Sequence, residues 1–283
     1  MQPIETYLHG KRKNSKIFRM NYESVGSFSR DCVAFKVATK YSHGSDASWW
    51  GGDSMSTLLS KCVNGDERYI AAAEDMLDQL RDDIEIPKPQ WSPSPYGAFP
   101  DVPAFLAGEI DCMRRMVSDA NMTTPVRIYF DPTSSAGIDA DTLVKRGTAA
   151  LALTMALAQM RPVELWTFSD IEAKGNDLAL ICVKIQTAPL MVSEACFALC
   201  NPGYSRALTY GLAEMRVGFT GMWGFGDNDL DADHRTTLMR EALQAAPQDI
   251  VIPGAHIADE LVENPLAFIR RELAKFHHTL DEA

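Results

Sequence analysis

The chain has no Cys-x-x-Cys pair, no His-Glu-x-x-His, and no serine, cysteine or histidine in a hydrolase-type elbow. Without them nothing in the sequence proposes an enzyme. The glycine-rich stretch 218–226 (GFTGMWGFG) is neither a phosphate loop nor a dinucleotide fingerprint, so no cofactor is expected. The longest apolar run, residues 148–158, is too short to span a bilayer, and no secretory apolar segment opens the chain; no membrane partner is expected. Six scattered cysteines in 283 residues read as buried or neutral thiols of a reducing cytoplasm; Cys196 and Cys200, spaced i, i+4, would clip a metal only if other ligands converged. There is no internal repeat and no low-complexity tract.

Charge, by contrast, is unevenly distributed. Residues 1–40 hold eight cations against three acids, a net +5, so with a whole-chain charge of −11 residues 41–283 carry −16. Among the cations stand Tyr7, Phe18, Tyr22, Phe28 and Phe35, followed by Tyr41 and Trp49-Trp50. Cations neutralise phosphates and flat rings stack on unpaired bases, a combination that suits a single strand of nucleic acid. The candidate DNA contacts are Lys11, Arg12, Lys13, Lys16, Phe18, Arg19, Tyr22, Arg30, Lys36, Lys40, Trp49 and Trp50, with Arg114 and Arg115 extending the track. The competing reading makes the terminus a solvated arm and the aromatics core residues. An acidic body, at pI about 5.0, argues against coating duplex DNA and leaves a surface for a basic partner protein.

Hydrophobic residues at 46% and charged residues at 23% indicate a globular chain, long enough for one large domain. Residues 17–18 and 31–37 favour strand, 54–60 and 67–81 helix. Six prolines in 87–103 predict an extended, ordered crossing, after which 103–117 reads as a helix carrying Arg114-Arg115. In the core half, 125–283, the pattern predicts strands at 126–130, 163–168, 178–185 and 250–252. Helices are predicted at 139–160, 193–200, 204–215, 234–245 and 265–276. This alternation implies a single α/β domain: a mostly parallel or mixed sheet between two helical layers, with a basic, β-containing N-terminal extension.

Two further motifs have possible chemistry. Asp131-Pro132-Thr133-Ser134-Ser135 follows the strand at 126–130, where open α/β sheets bind ligands. The arrangement from about 125 to 170 resembles the start of a von Willebrand factor A domain, whose D-x-S-x-S loop binds a divalent ion. Asp131, Thr133 and Ser135 match that loop with Thr for the first Ser. No later threonine loop or strand-end aspartate completes the shell, and Asp249 precedes its strand. Alternatively, these side chains satisfy turn and helix-start amides. The acidic run 227–233 lacks the central glycine and distal glutamate of a calcium loop and reads as the flank of a helix.

Several stretches together resemble a family of bacteriophage α/β proteins, the Drc family. They are Trp49-Trp50-Gly51-Gly52, residues 101–108 (DVPAFLAG), Pro125-Val126-Arg127-Ile128, residues 145–157 and Arg161-Pro162-Val163-Glu164-Leu165. They span about residues 30–170. The resemblance implies a non-enzymatic protein of the host cytoplasm that binds single-stranded DNA at melted promoters and recruits a phage RNA polymerase. It also implies a fold other than the oligonucleotide-binding barrel.

Overall fold

A computed structural model describes residues 17–37, 47–84, 90–96, 99–117, 124–134, 137–172, 178–217, 232–254 and 259–277. In chain order the elements begin with strand β1 (Ile17–Tyr22) and helices α1 (Val25–Ala34), α2 (Met55–Asn64) and α3 (Ile70–Asp78). Strands β2 (Gln90–Ser94) and β3 (Phe99–Pro100), the short helix α4 (Val102–Leu106) and β4 (Met113–Val117) follow. Then come β5 (Val126–Phe130), α5 (Ala140–Met160), β6 (Val163–Glu172), β7 (Leu178–Ile185) and α6 (Val192–Cys200). A π-helical turn at Tyr204–Thr209 leads into α7 (Tyr210–Val217), and α8 (Ala232–Leu243), β8 (Ile250–Ile252), α9 (Glu260–Glu263) and α10 (Pro265–His277) close the chain.

Five strands form a mixed sheet in the order β1-β7-β6-β5-β8. β5 pairs in parallel with both β6 and β8, β1 pairs in parallel with β7, and only β6–β7 is antiparallel. The larger core packs residues of α1, α2, α3, α5, α6, α7 and α10 on one face of this sheet. On the other face Leu238, Met239, Ala242 and Leu243 of α8 cover Tyr129, Phe168, Leu180 and Cys182. The fold is therefore α/β with helices on both faces and no closed barrel, as the alternation of elements implies. Helix starts follow their capping residues: Ser24 and Ser27 form a reciprocal box at α1, Ser54 caps α2 and Asp139 caps α5. Among the described residues no helix is long and apolar enough to cross a membrane.

Two sequence expectations are corrected. Residues 31–37 are not a strand: Val25, Phe28, Ser29 and Cys32 are buried at helical spacing, and the Ser24 box starts a helix that runs to Ala34. Nor is 103–117 one helix. α4 ends at Leu106, Gly108 takes a φ of +76°, and β4 then pairs with β2 on one side and β3 on the other. Where it is described, the crossing is extended up to Pro100, with Pro93 and Pro100 on the two edge strands of this small sheet, where a missing N–H costs least.

The N-terminal extension is also shorter than the charge pattern suggests. Ile17, Met20, Tyr22, Val25, Phe28, Cys32 and Val37 are all buried, so residues 17–37 belong to the main body.

Candidate nucleic-acid interface

Lys11, Arg12, Lys13, Lys16 and Lys40 lie outside the described residues, as do Ser135, the stretch 218–226 and most of the acidic run 227–233. The remaining candidates divide sharply. Tyr22 is buried, its hydroxyl 2.9 Å from Asp31 Oδ2 and its ring edge-on to Phe28. Trp50 is buried too, with Nε1 donating to the Asp53 carbonyl at 3.0 Å. The Trp49 ring is half-buried under the Arg206 guanidinium, 4.7 Å away. Neither Tyr22 nor Trp50 can stack on a base, and Trp49 already carries a cation. Two tryptophans in a row look like a surface platform in sequence; here their turn packs against α5 and the π turn. Phe18 is half-buried on edge strand β1, and Arg19 is held by Asn21 at 2.8 Å and by the Ala242 carbonyl. Arg30 and Lys36 remain exposed.

Arg114 and Arg115 stand elsewhere, on β4 at the centre of the small sheet, and both are exposed. Successive strand residues face opposite sides, so the two guanidiniums serve opposite faces. Phe99 is directly opposite Arg114 in register. The Arg115 guanidinium lies 5.7 Å from the Tyr96 ring centre and donates to its hydroxyl at 3.2 Å. Arg114 is paired with Asp101 at 2.5 Å, and that carboxylate also caps α4 by accepting from Ala104 N. The α4 cap and the Arg114 guanidinium hold the Asp101 carboxyl below its ordinary pKa. Tyr96 and Phe99 are thus the exposed rings beside exposed cations that the N-terminal aromatics are not. The proline-rich, aromatic 87–103 stretch was the only sequence signal for them.

Around β2, α4 and β4 only Ser94 is buried among the residues whose side chains are described. The small sheet's described side chains, Ser94 apart, reach solvent wholly or in part.

The Asp131 loop follows a different logic. Asp131 and Thr133 are buried at the carboxyl end of β5, and Asp131 Oδ1 accepts from Thr133 N at 2.8 Å. Two buried arginines clamp the loop. Arg146 bonds Asp259 at 2.6 Å, the Asp131 carbonyl and the Pro253 carbonyl, with its guanidinium over the Phe130 ring. Arg206 donates to Ser134 Oγ at 2.9 Å, to Trp49 O at 2.6 Å and to Ile138 O. Burial brings the Arg206 pKa down to about 10, so it is still a cation at neutral pH. A guanidinium beside Ser134 and another on the Asp131 carbonyl place positive charge where a divalent ion would have to sit, so this donor set fits such an ion poorly. Asp249 does not help: it lies at the amino end of β8, the opposite end of the sheet, and pairs with Arg127 at 2.8 Å. No cluster of three His, Cys, Asp or Glu side chains able to hold a metal exists among the described residues, and Cys196 and Cys200 are buried in α6.

The sequence reading did not single out Arg146 or Arg206. A signal was available for Arg206, a lone charge within an otherwise apolar helical stretch, where a buried arginine needs several acceptors; Arg146, next to Lys145, carried no such mark.

No curated protein and no solved structure matches the chain. Residues 6–277 match a family described as a domain of unknown function, DUF7192. The match covers nearly the whole chain, main body and small sheet alike, and the protein belongs to that DUF7192 family.

Proposed function

We propose that the protein binds single-stranded DNA through the small β2–β4–β3 sheet, with the basic segment before Ile17 adding electrostatic attraction. The observation that carries this reading is the pairing of Arg114 and Arg115 with the exposed rings of Phe99 and Tyr96. Unpaired bases offer faces to such rings, while a duplex hides them. The Arg114–Asp101 pair does not block a phosphate: an exposed ion pair contributes at most about 1 kcal/mol and exchanges readily. The −16 carried by residues 41–283 repels a polyanion from the rest of the body and confines it to these sites.

The resemblance to the Drc family extends this to a biological role, a cofactor that brings a phage RNA polymerase to melted promoters in the host cytoplasm. The acidic body would meet a basic polymerase surface.

Fluorescence anisotropy with labelled single-stranded and duplex DNA of equal length tests the reading. The single strand should bind more tightly and with stronger salt dependence. Arg114→Ala/Arg115→Ala should weaken it at every sequence and reduce the salt slope by about 1.4, two phosphates' worth. Tyr96→Ala should cost about 1–3 kcal/mol. Equal affinity for both DNAs, or an unchanged slope in the double variant, would overturn the proposal.

One observation favours a second reading, a metal-dependent interaction module of von Willebrand A type. β5 lies between two parallel neighbours, with the Asp131 loop at their carboxyl ends, the usual ligand position of an open α/β sheet. The clamping arginines speak against it. Millimolar magnesium should therefore leave the melting temperature unchanged; a shift that Asp131→Ala abolishes would restore the metal reading.

A further inference from the structure

Helix α4 is turned outward. Val102, Phe105 and Leu106 stand at i, i+3 and i+4, which puts them on one helical face. That face would ordinarily be buried, yet these three and Ile110, just past the Gly108 turn, are between 56 and 84% exposed. Phe105 and Leu106 are next to each other in the chain, and no side chain of α4 is buried at all. Single exposed apolar residues are ordinary, but four within nine positions make an apolar surface of the size that often marks an interaction site.

We propose that this patch is the seam of a homodimer, α4 and Ile110 of one copy packing against the same residues of a second. Two features on the surface point to a second copy. The first is area. Each of the four side chains exposes roughly 100–150 Å², so a copy brings on the order of 500 Å² of apolar surface to the contact. Two copies then bury about 1,000 Å², the lower bound for a biological interface and the scale of a weak, concentration-dependent dimer. The second is charge. The rim carries both signs, exposed Glu109 and Asp111 close to exposed Arg115. In a two-fold arrangement every contact is made twice with the roles exchanged, so a rim of mixed sign can pair with itself, whereas a rim of one sign repels its copy.

A requirement follows from the absence of any buried side chain on α4. The hydrogen bonds of β4 to both neighbours and the Asp101 cap must hold α4 in place, since burial of its own side chains does not. Packing against a second copy supplies that burial. The dimer does not rest on the nucleic-acid reading, and each can fail without the other.

Sedimentation velocity on nuclease-treated protein, from low micromolar to about a hundred micromolar, decides the matter. The wild-type chain should pass from monomer to dimer as concentration rises. Leu106→Asp should weaken association by at least about tenfold, and Phe105→Ser should do the same, as expected for central apolar residues of an interface. Because both side chains are exposed, circular dichroism and melting temperature of the dilute variants should match wild type. Should Leu106→Asp fail to fold, Ile110→Ser replaces it. A wild-type chain that stays monomeric throughout, or a dimer that survives these substitutions, overturns the proposal and assigns the patch to another occupant.

Discussion

Gly147→Ala should remove about 3 kcal/mol or more of folding stability and lower the melting temperature by roughly 10 °C. Gly147 lies in the buried half of α5 where α6 crosses it. A methyl group built there runs into the Leu199 carbonyl oxygen and comes within 2.6 Å of Cys200 Cα. Both obstacles are backbone, so no rotamer change clears them; the two helices must move apart. Separation would spread through a core in which Ala149, Ala150, Ala152 and Ala156 of α5 are fully buried, their small side chains suited to close helix contact. Gly137→Ala is the control, because a methyl there meets nothing within 4 Å. Urea denaturation of the two variants beside wild type reads the difference. Equal midpoints for Gly147→Ala and wild type would show that α5 and α6 do not approach as described.

Arg206→Ala should be almost as costly, about 3 kcal/mol. The substitution leaves the Trp49 and Ile138 carbonyls and the Ser134 hydroxyl without their buried donor, and it removes the cation from the face of the Trp49 ring. Arg206 has three separate segments in its grip: the tryptophan turn, the Asp131 loop and the start of α5. Losing it should therefore loosen all three together. Arg206→Lys should rescue little, since an ammonium lacks the planar fork that reaches several carbonyls at once. Intrinsic fluorescence of a variant that keeps Trp49 and has its other four tryptophans replaced by phenylalanine provides a local readout beside denaturation. A lysine variant as stable as wild type would mean that charge alone, without the fork, holds these segments.

The main body was legible in the sequence because its elements are long and periodic. Strands at 126–130, 178–185 and 250–252 and the helices at 139–160 and 265–276 fall within a residue or two of their observed bounds. Their burial is continuous, and their ends carry caps such as Asp139. Where the reading failed, distant partners decided the outcome. Val33, Phe35 and Val37 favour strand locally, but Phe28 and Cys32 have to reach the core at helical spacing. β4 is a strand only because β2 and β3 come to it from the proline-rich crossing. The site was harder to read for a related reason. Residue type marks a ring or a cation, whereas exposure depends on what packs over it, so Tyr22 and Trp50 looked alike available with Tyr96 and Phe99. Arg114 and Arg115, expected on a helix as an extension of the DNA track, are exposed on strand β4.

Edge strand β1 has a consequence for how the chain is made. Its partner β7 lies most of the chain away in sequence, with Ile17 opposite Leu178. During synthesis β1 emerges well before β7 and must wait, unpaired, while more than half of the 283 residues follow, and closing so long a loop is slow. Until then the unpaired backbone of β1 is open to any passing extended segment. A truncation meant to remove only the basic leader should therefore stop before Ile17, because one that continues through Tyr22 would deprive the finished sheet of its last strand and convert a binding experiment into an aggregation experiment.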